Sequence, residues 1–395
     1  MSEKSDGKRQ IKRQWFARLY LENWRNFVKA DLDLQRRVFL VGPNASGKSN
    51  LLDVFRFLHD IVASVGGGLQ HAVKKRGGVS AIRSLAARQY SDIVIKVTLA
   101  GEKDSDWSSY ELRIAQDNRR RPYVKTERVV KNGKEILSRP NAEDNSDPEQ
   151  RTQTYLEQVK VNRDFRDLSE FFASVRYLHI VPQLVREPER SVGKQDDPYG
   201  GDFLERIART QEKTKRSRLK RIQAALAIAV PQLTEIELYR DEENGTPHLR
   251  GKYEHWRPQG AWQTEDQFSD GTLRLMGLLW AVLDGSGPLL LEEPELSLHS
   301  EVVRFIPQLL ARIQRRTGRQ IILSTHSADL LRDDGIGLDE VFLLVPGKEG
   351  TEVRAASTFE VIKDLLGGGS SLPDAIMPLT KPEKAEQLSI FGDVE

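Results

Sequence analysis

Residues Phe39-Leu40-Val41-Gly42-Pro43-Asn44-Ala45-Ser46-Gly47-Lys48-Ser49-Asn50 carry an apolar run into a complete G-x-x-x-x-G-K-S loop. Leu51, Leu52, Val54, Phe55 and Leu58 follow at helical spacing. A strand, a glycine-bearing loop and a helix in that order predict a phosphate-binding loop. Gly42 and Gly47 let backbone N–H groups curl round phosphate oxygens, Lys48 reaches toward the β and γ phosphates, and the Ser49 hydroxyl is a ligand for Mg²⁺. The competing reading is a strand-to-helix turn that binds nothing.

Partners for such a loop stand far downstream. Pro288-Leu289-Leu290-Leu291-Glu292-Glu293-Pro294-Glu295 sets two carboxylates directly after an apolar strand. Glu292 would hold the Mg²⁺ shell, and Glu293 would orient or deprotonate an attacking water. Adjacent strand residues point to opposite faces, so the two need not share one role. Gln320-Ile321-Ile322-Leu323-Ser324-Thr325-His326-Ser327 is a second short apolar strand with a polar end. His326 there is either a structural histidine or a hydrogen-bond partner of a γ-phosphate or of the attacking water. In Phe268-Ser269-Asp270-Gly271-Thr272, just before the apolar stretch 273–283, Ser269 reads as a helix N-cap, and Ser269 with the Gly271 N–H also makes an anion site.

At 395 residues the chain exceeds the size at which a single core keeps growing. Lys and Arg number 60 against 58 Asp and Glu, so any nucleic-acid footprint has to be a local patch. Zero cysteines exclude disulfides, thiolate nucleophiles and cysteine zinc sites, and the seven histidines are scattered without H-E-x-x-H spacing. No apolar run reaches the length of a bilayer span, and the polar, basic stretch 1–13 has no signal-peptide core. The expectation is a soluble, cytoplasmic protein without a membrane partner.

Alternation over 16–21 and 30–34 predicts two strands leading into the loop strand, and β-like stretches at 93–99, 110–114 and 123–130, with a turn at Lys131-Asn132-Gly133-Lys134, predict an antiparallel meander. Residues 141–150 read as a polar, acidic loop. The expected organisation is a basic tail (1–14), an N-terminal part of the core domain (15–185), a helical, basic lobe (186–265), a C-terminal part of the core domain (266–350) and a tail (351–395). Arg206 to Arg221 carries eight Lys or Arg and one Glu, either as a solvated helix face or as a contact for a phosphate backbone or a partner. The tail is either a partner strap or a simple disordered end.

Taken together, G-P-N-A-S-G-K-S, F-S-D-G-T, L-L-L-E-E-P-E-L-S-L-H and S-T-H-S resemble, in that order, the ABC-type ATPase heads of the SMC, RecF and OLD group. The likeness runs from about Trp15 to Val345 and is strongest to the compact prokaryotic heads of OLD-like nucleases and antiphage-defence ATPases. It implies an α/β P-loop NTPase fold with a mixed or parallel core sheet, an antiparallel β subdomain and a helical lobe. It also implies ATP and Mg²⁺ as cofactors, slow and regulated hydrolysis to ADP and phosphate, and a homodimer of heads with ATP between one copy's loop and the other's Ser269.

Carried across, the resemblance gives phosphate binding to Gly42, Asn44, Ala45, Ser46, Gly47, Lys48, Ser49 and Asn50. Ser49 and Glu292 would serve Mg²⁺, Glu293 would activate water, and His326 would sense the γ-phosphate. Arg25 matches the arginine of an N-F-R element near the nucleotide, and Leu296-Ser297-Leu298-His299 matches the D-loop that crosses the dimer interface. Glu292 departs from the family's usual Asp by one methylene, and the Q-loop glutamine is either Gln89 or Gln183. OLD-like nucleases carry a Toprim domain after the head, but the 50 residues after Val345 are too few for one. Effector chemistry is therefore expected in a separate nuclease or toxin. The alternative is a RecF-like ATPase acting directly on DNA. A transporter subunit or a non-hydrolysing scaffold is less favoured.

Overall fold

A computed structural model describes residues 14–87, 91–103, 106–191, 197–254 and 261–381. The chain divides into two compact units: one drawn from residues up to Arg36, Phe57–Ala173 and Gly318–Gln320, the other from Arg37–Arg56, Ser174–Thr317 and Ile321 onward.

The first unit is built on a six-stranded sheet in the order Phe27–Asp33, Trp15–Trp24, Ile93–Ala100, Trp107–Gln116, Pro122–Lys131, Lys134–Arg139, antiparallel throughout. Leu19, Leu21, Tyr110 and Leu112 follow the alternation inward and are fully buried, as is Phe16, ahead of a register irregularity before Arg18. The helix Arg166–Ala173 lays Phe172 against Phe16, with ring centroids 5.9 Å apart, and against Tyr110 at 5.8 Å. The expected hairpin turn closes through left-handed Asn132 and Gly133, the backbone that a tight two-residue hairpin requires. The stretch expected as an acidic loop contains a short helix, Ala142–Ser146, capped by Asn141. Its Asp144 is buried as one arm of an ion triad, in which Arg139 donates to Asp144 Oδ1 at 2.5 Å and to Glu127 Oε2 at 2.9 Å, with all three side chains at most 1% exposed.

The second unit centres on a six-stranded mixed sheet in the order Gly350–Ala355, Val341–Gly347, Arg37–Val41, Ile321–Thr325, Leu289–Glu292, Arg176–Leu178. Only the pairing of the first two strands is antiparallel. The central strands are continuous apolar runs, as strands covered on both faces must be. Val38 to Val41, Leu289 to Leu291 and Ile321 to Leu323 are all essentially inaccessible. Helices Asp270–Leu283 and Ile306–Thr317 add Leu278, Val282, Leu310 and Ile313 to the same core.

Two expectations are corrected in this unit. The segment from 351 is not a simple tail over its described part. It supplies the edge strand Gly350–Ala355 and the helices Glu360–Gly367 and Leu372–Ile376, whose Ile362, Ala375 and Ile376 join the core, because Phe359, Ile362 and Leu366, and again Leu372, Ala375 and Ile376, recur at helical spacing. The lobe over 186–265 is not purely helical. Behind the helices Phe203–Arg209 and Glu212–Ala229 stands a three-stranded antiparallel sheet of Leu233–Arg240, Pro247–Tyr253 and Ala261–Thr264, sharing with them a core around Leu204, Ile222, Leu233 and Leu249. Among the described residues no helix is long and apolar enough to cross a membrane.

Candidate functional site

Parallel pairing sets the ends of four strands side by side. Val41 lies opposite Thr325, Glu292 opposite Ser324, and Leu291 opposite Leu178. The residues just after these strands therefore gather along one edge of the sheet, where ligands of open α/β sheets bind.

The loop from the 37–41 strand turns through left-handed Ala45 and Gly47 into the helix Lys48–Val62. At a φ of 98°, Gly47 occupies backbone space that a side chain would strain. Consecutive N–H groups in such a turn form a concave anion nest at a helix N-terminus. Lys48 is buried, and its Nζ donates to the carbonyls of Gly42 at 2.9 Å and Pro43 at 3.1 Å. Burial pushes its pKa down, against the pull of Glu293, Glu295 and Glu292. Asn44 and Ala45 are exposed at the loop tip, Ser46 is buried beneath it, and Asn50 lies in the first turn of the helix. A cavity of about 760 Å³, the volume class of small-molecule sites, opens beside the loop and is lined by Gly42, Asn44, His326, Arg332, Pro373 and Met377 among others.

Ser49 Oγ donates to Glu292 Oε1, while Tyr177 OH donates to Glu292 Oε2. Burial raises the Glu292 pKa and the Glu293 charge adds to the rise, with the Ser49 hydrogen bond opposing both. A hydroxyl and a carboxylate oxygen converging in this way are hard donors that fit Mg²⁺, an ion usually held by one or two carboxylates together with substrate phosphates and water. Glu293 follows with a left-handed φ of 43°, its N–H donating to Ser324 O at 3.1 Å. Its Oε1 lies 3.1 Å from His326 Nδ1 and 3.9 Å from Lys48 Nζ. Lys48, Ser49, Glu292, Glu293 and His326 thus form one cluster.

Further groups support the cluster, Glu295 from within the glutamate motif and His179 and Tyr177 from outside any contiguous motif. Glu295 is buried and accepts from Thr325 Oγ1 at 2.5 Å and from His326 N at 3.4 Å, tying the glutamate turn to the histidine strand, and burial raises its pKa. His179, whose Nδ1 lies 3.4 Å from Glu292 O, has its pKa lowered by burial. Tyr177 reaches the site only because the 176–178 strand pairs with 289–292.

Other expected elements lie outside this cluster. Ser269 caps the helix Asp270–Leu283, its Oγ accepting from Thr272 N at 3.1 Å, and Asp270 pairs with Arg186 at 2.6 Å. Gly271 presses on the D-loop-like segment, and a Cβ there would meet Ser297 O at 2.5 Å. Arg25 belongs to the antiparallel unit, in the left-handed turn between its first two strands. Gln183 is exposed on the helix Pro182–Arg186, and Gln89 lies outside the described residues. Much of the basic run is matched by acids of the same unit: Arg206 and Arg218 pair with Asp284, Arg209 with Glu205, and Lys215 and Arg216 with Glu212.

Among solved structures the fold is similar to an SMC head bound to the C-winged helix domain of ScpA (TM-score 0.50, 11% identity, 86% of this chain and 97% of that one). It is also similar to the Smc head domain with an extended coiled coil bound to the C-terminal domain of ScpA from Pyrococcus furiosus (TM-score 0.50, 12% identity, 90% and 100%). A third is the Smc head with a coiled coil and joint from Pyrococcus yayanosii (TM-score 0.50, 12% identity, 90% and 100%). At these identities the likeness establishes the fold alone, that of the Smc head domains. A comparison with curated proteins finds no match. A family profile matches residues 37–333, which span the phosphate loop, both glutamates and His326 and make up well over half of the 395 residues. The chain therefore belongs to the family described as "AAA domain, putative AbiEii toxin, Type IV TA system".

Proposed function

We propose that the chain is a cytoplasmic subunit that binds and hydrolyses ATP, pairs with a second copy through it, and controls a separate effector, a nuclease or a toxin, in antiphage defence or DNA surveillance. The observation that carries this reading is the convergence of Lys48, Ser49, Glu292, Glu293 and His326 on one sheet edge. A triphosphate entering the nest takes over the Lys48 ammonium from the Gly42 and Pro43 carbonyls. Ser49 and Glu292 would hold Mg²⁺, which would supply charge neutralisation at the phosphoryl group. Glu293 accepts a proton from the attacking water, and His326, within hydrogen-bond distance of Glu293, fixes that carboxylate against the water or the γ-phosphate.

A second copy's Ser269 turn would cap the γ-phosphate end, since a serine hydroxyl and N–H groups at a helix N-terminus form an anion site. Control of a partner draws support from the heads of this fold solved with ScpA domains bound to them, and the link to a toxin–antitoxin system from the family description, which names the AAA domain itself a putative toxin. Direct DNA binding through 206–221 is the weaker reading, because acids of the same unit neutralise much of that charge.

Calorimetry and light scattering test the proposal together. Mg·ATP should give binding heat and a doubled mass, and Ser269→Glu should keep the heat but lose the mass change. No heat with the wild type refutes the site, and an unchanged mass refutes the pairing.

A further inference from the structure

Resting on that reading of the site, we infer that Tyr177 is a positioning residue for the metal-binding carboxylate. It makes Glu292 work where one methylene fewer would be usual. Glu292 has one more rotatable bond than an aspartate, so its carboxylate must be held to present an oxygen beside Ser49. The structure holds it by both oxygens: Ser49 Oγ donates to Oε1 and Tyr177 OH to Oε2.

The tyrosine is set by two elements. In the parallel register Tyr177 lies opposite Leu290, and alternation puts Leu290 and Glu292 on the same face, so the phenol reaches one step along to the carboxylate. Its ring lies under the Arg56 guanidinium at 4.2 Å, and Arg56 approaches Asp53 at 3.9 Å. Ser49, Asp53 and Arg56 share one face of the helix Lys48–Val62. The same helix that offers the Ser49 hydroxyl therefore also clamps the residue that aims Glu292. Partners of metal-binding groups of this kind typically cost 10–100-fold in metal affinity when removed.

The test is Mn²⁺ binding followed by electron paramagnetic resonance, with a non-hydrolysable ATP analogue, on the full chain. Tyr177→Phe should weaken Mn²⁺ about tenfold. Analogue binding in EDTA should stay at the wild-type level, which also reports that the variant is folded. Glu292→Asp retracts the carboxylate from the phenol, so adding Tyr177→Phe to it should bring no further loss. Arg56→Met, which keeps the hydroxyl but removes the clamp, should fall between wild type and Tyr177→Phe. Mn²⁺ bound as tightly by Tyr177→Phe as by the wild type overturns the inference. So does a full extra loss in the Glu292→Asp background. If the wild type with the analogue takes up no Mn²⁺, the reading of the site fails, and this inference fails with it.

Discussion

Replacing Glu293 by Gln separates binding from chemistry, because the amide keeps the carboxylate's shape and loses its charge and basicity. A positioned general base contributes typically 10²–10⁴ in rate, so turnover should fall by that factor, about 3–5.5 kcal/mol in the barrier. Affinity should move the other way. Glu293 Oε1 lies 3.9 Å from Lys48 Nζ in a site where both side chains are at most 20% exposed. Two unit charges at that separation attract by about 4 kcal/mol at an effective dielectric of 20. Part of that attraction competes with an incoming triphosphate for the ammonium, and the Glu293 charge also repels it. The variant should therefore bind Mg·ATP at least as tightly as the wild type and remain paired. Phosphate release under single-turnover conditions gives the rate, and titration with a fluorescent analogue gives the affinity. Wild-type turnover in the variant, or loss of binding with loss of turnover, would refute the assignment of Glu293 as the base.

Two further outcomes follow from buried charge. Burial raises the Glu292 pKa, so in the metal-free fold the charged form is held less favourably than in the unfolded chain, and the carboxylate costs stability as the pH rises from the ordinary glutamate value through the raised one. Glu292→Gln should thus raise the melting temperature in EDTA at neutral pH, with the gain vanishing at acid pH and Mg·ATP narrowing it; a gain independent of pH would contradict this origin. In the antiparallel unit, Arg139→Met leaves Glu127 and Asp144 buried without a counter-charge, at about 3–5 kcal/mol, read as a lower urea midpoint. Adding Glu127→Gln and Asp144→Asn should recover part of that loss, and recovery of none would mean that packing rather than charge is responsible.

The parts of the fold and site legible in the sequence are those written contiguously. The phosphate loop, Glu292 with Glu293, and His326 each sit at the end of an apolar strand, and strand ends in a parallel sheet meet on one edge. Local pattern gives no role for Tyr177, because that role depends on which strand pairs with which over a separation that local pattern does not encode. Asp144 looked like a loop acid because composition is blind to a guanidinium arriving from the neighbouring strand. The 233–264 sheet was hidden by charged side chains on its outer face, where Arg250 pairs with Glu237 and Lys252 with Glu235, so its alternation did not stand out from the basic helices before it. In the C-terminal segment, Ile362 and then Ala375 and Ile376 anchor the chain on either side of Gly367, Gly368 and Gly369.

The closeness of Gly271 to the Ser297 carbonyl leaves no slack between the turn that starts the 270–283 helix and the loop that continues from Glu293. Displacement of one backbone is transmitted to the other without an intervening side chain to absorb it. Were a neighbouring molecule's phosphate to rest on Ser269, as in the pairing proposed above, its arrival would be felt in the chain segment that carries Glu293. Heads joined by such a stiff internal strut would respond to how many seats are filled rather than to each seat alone.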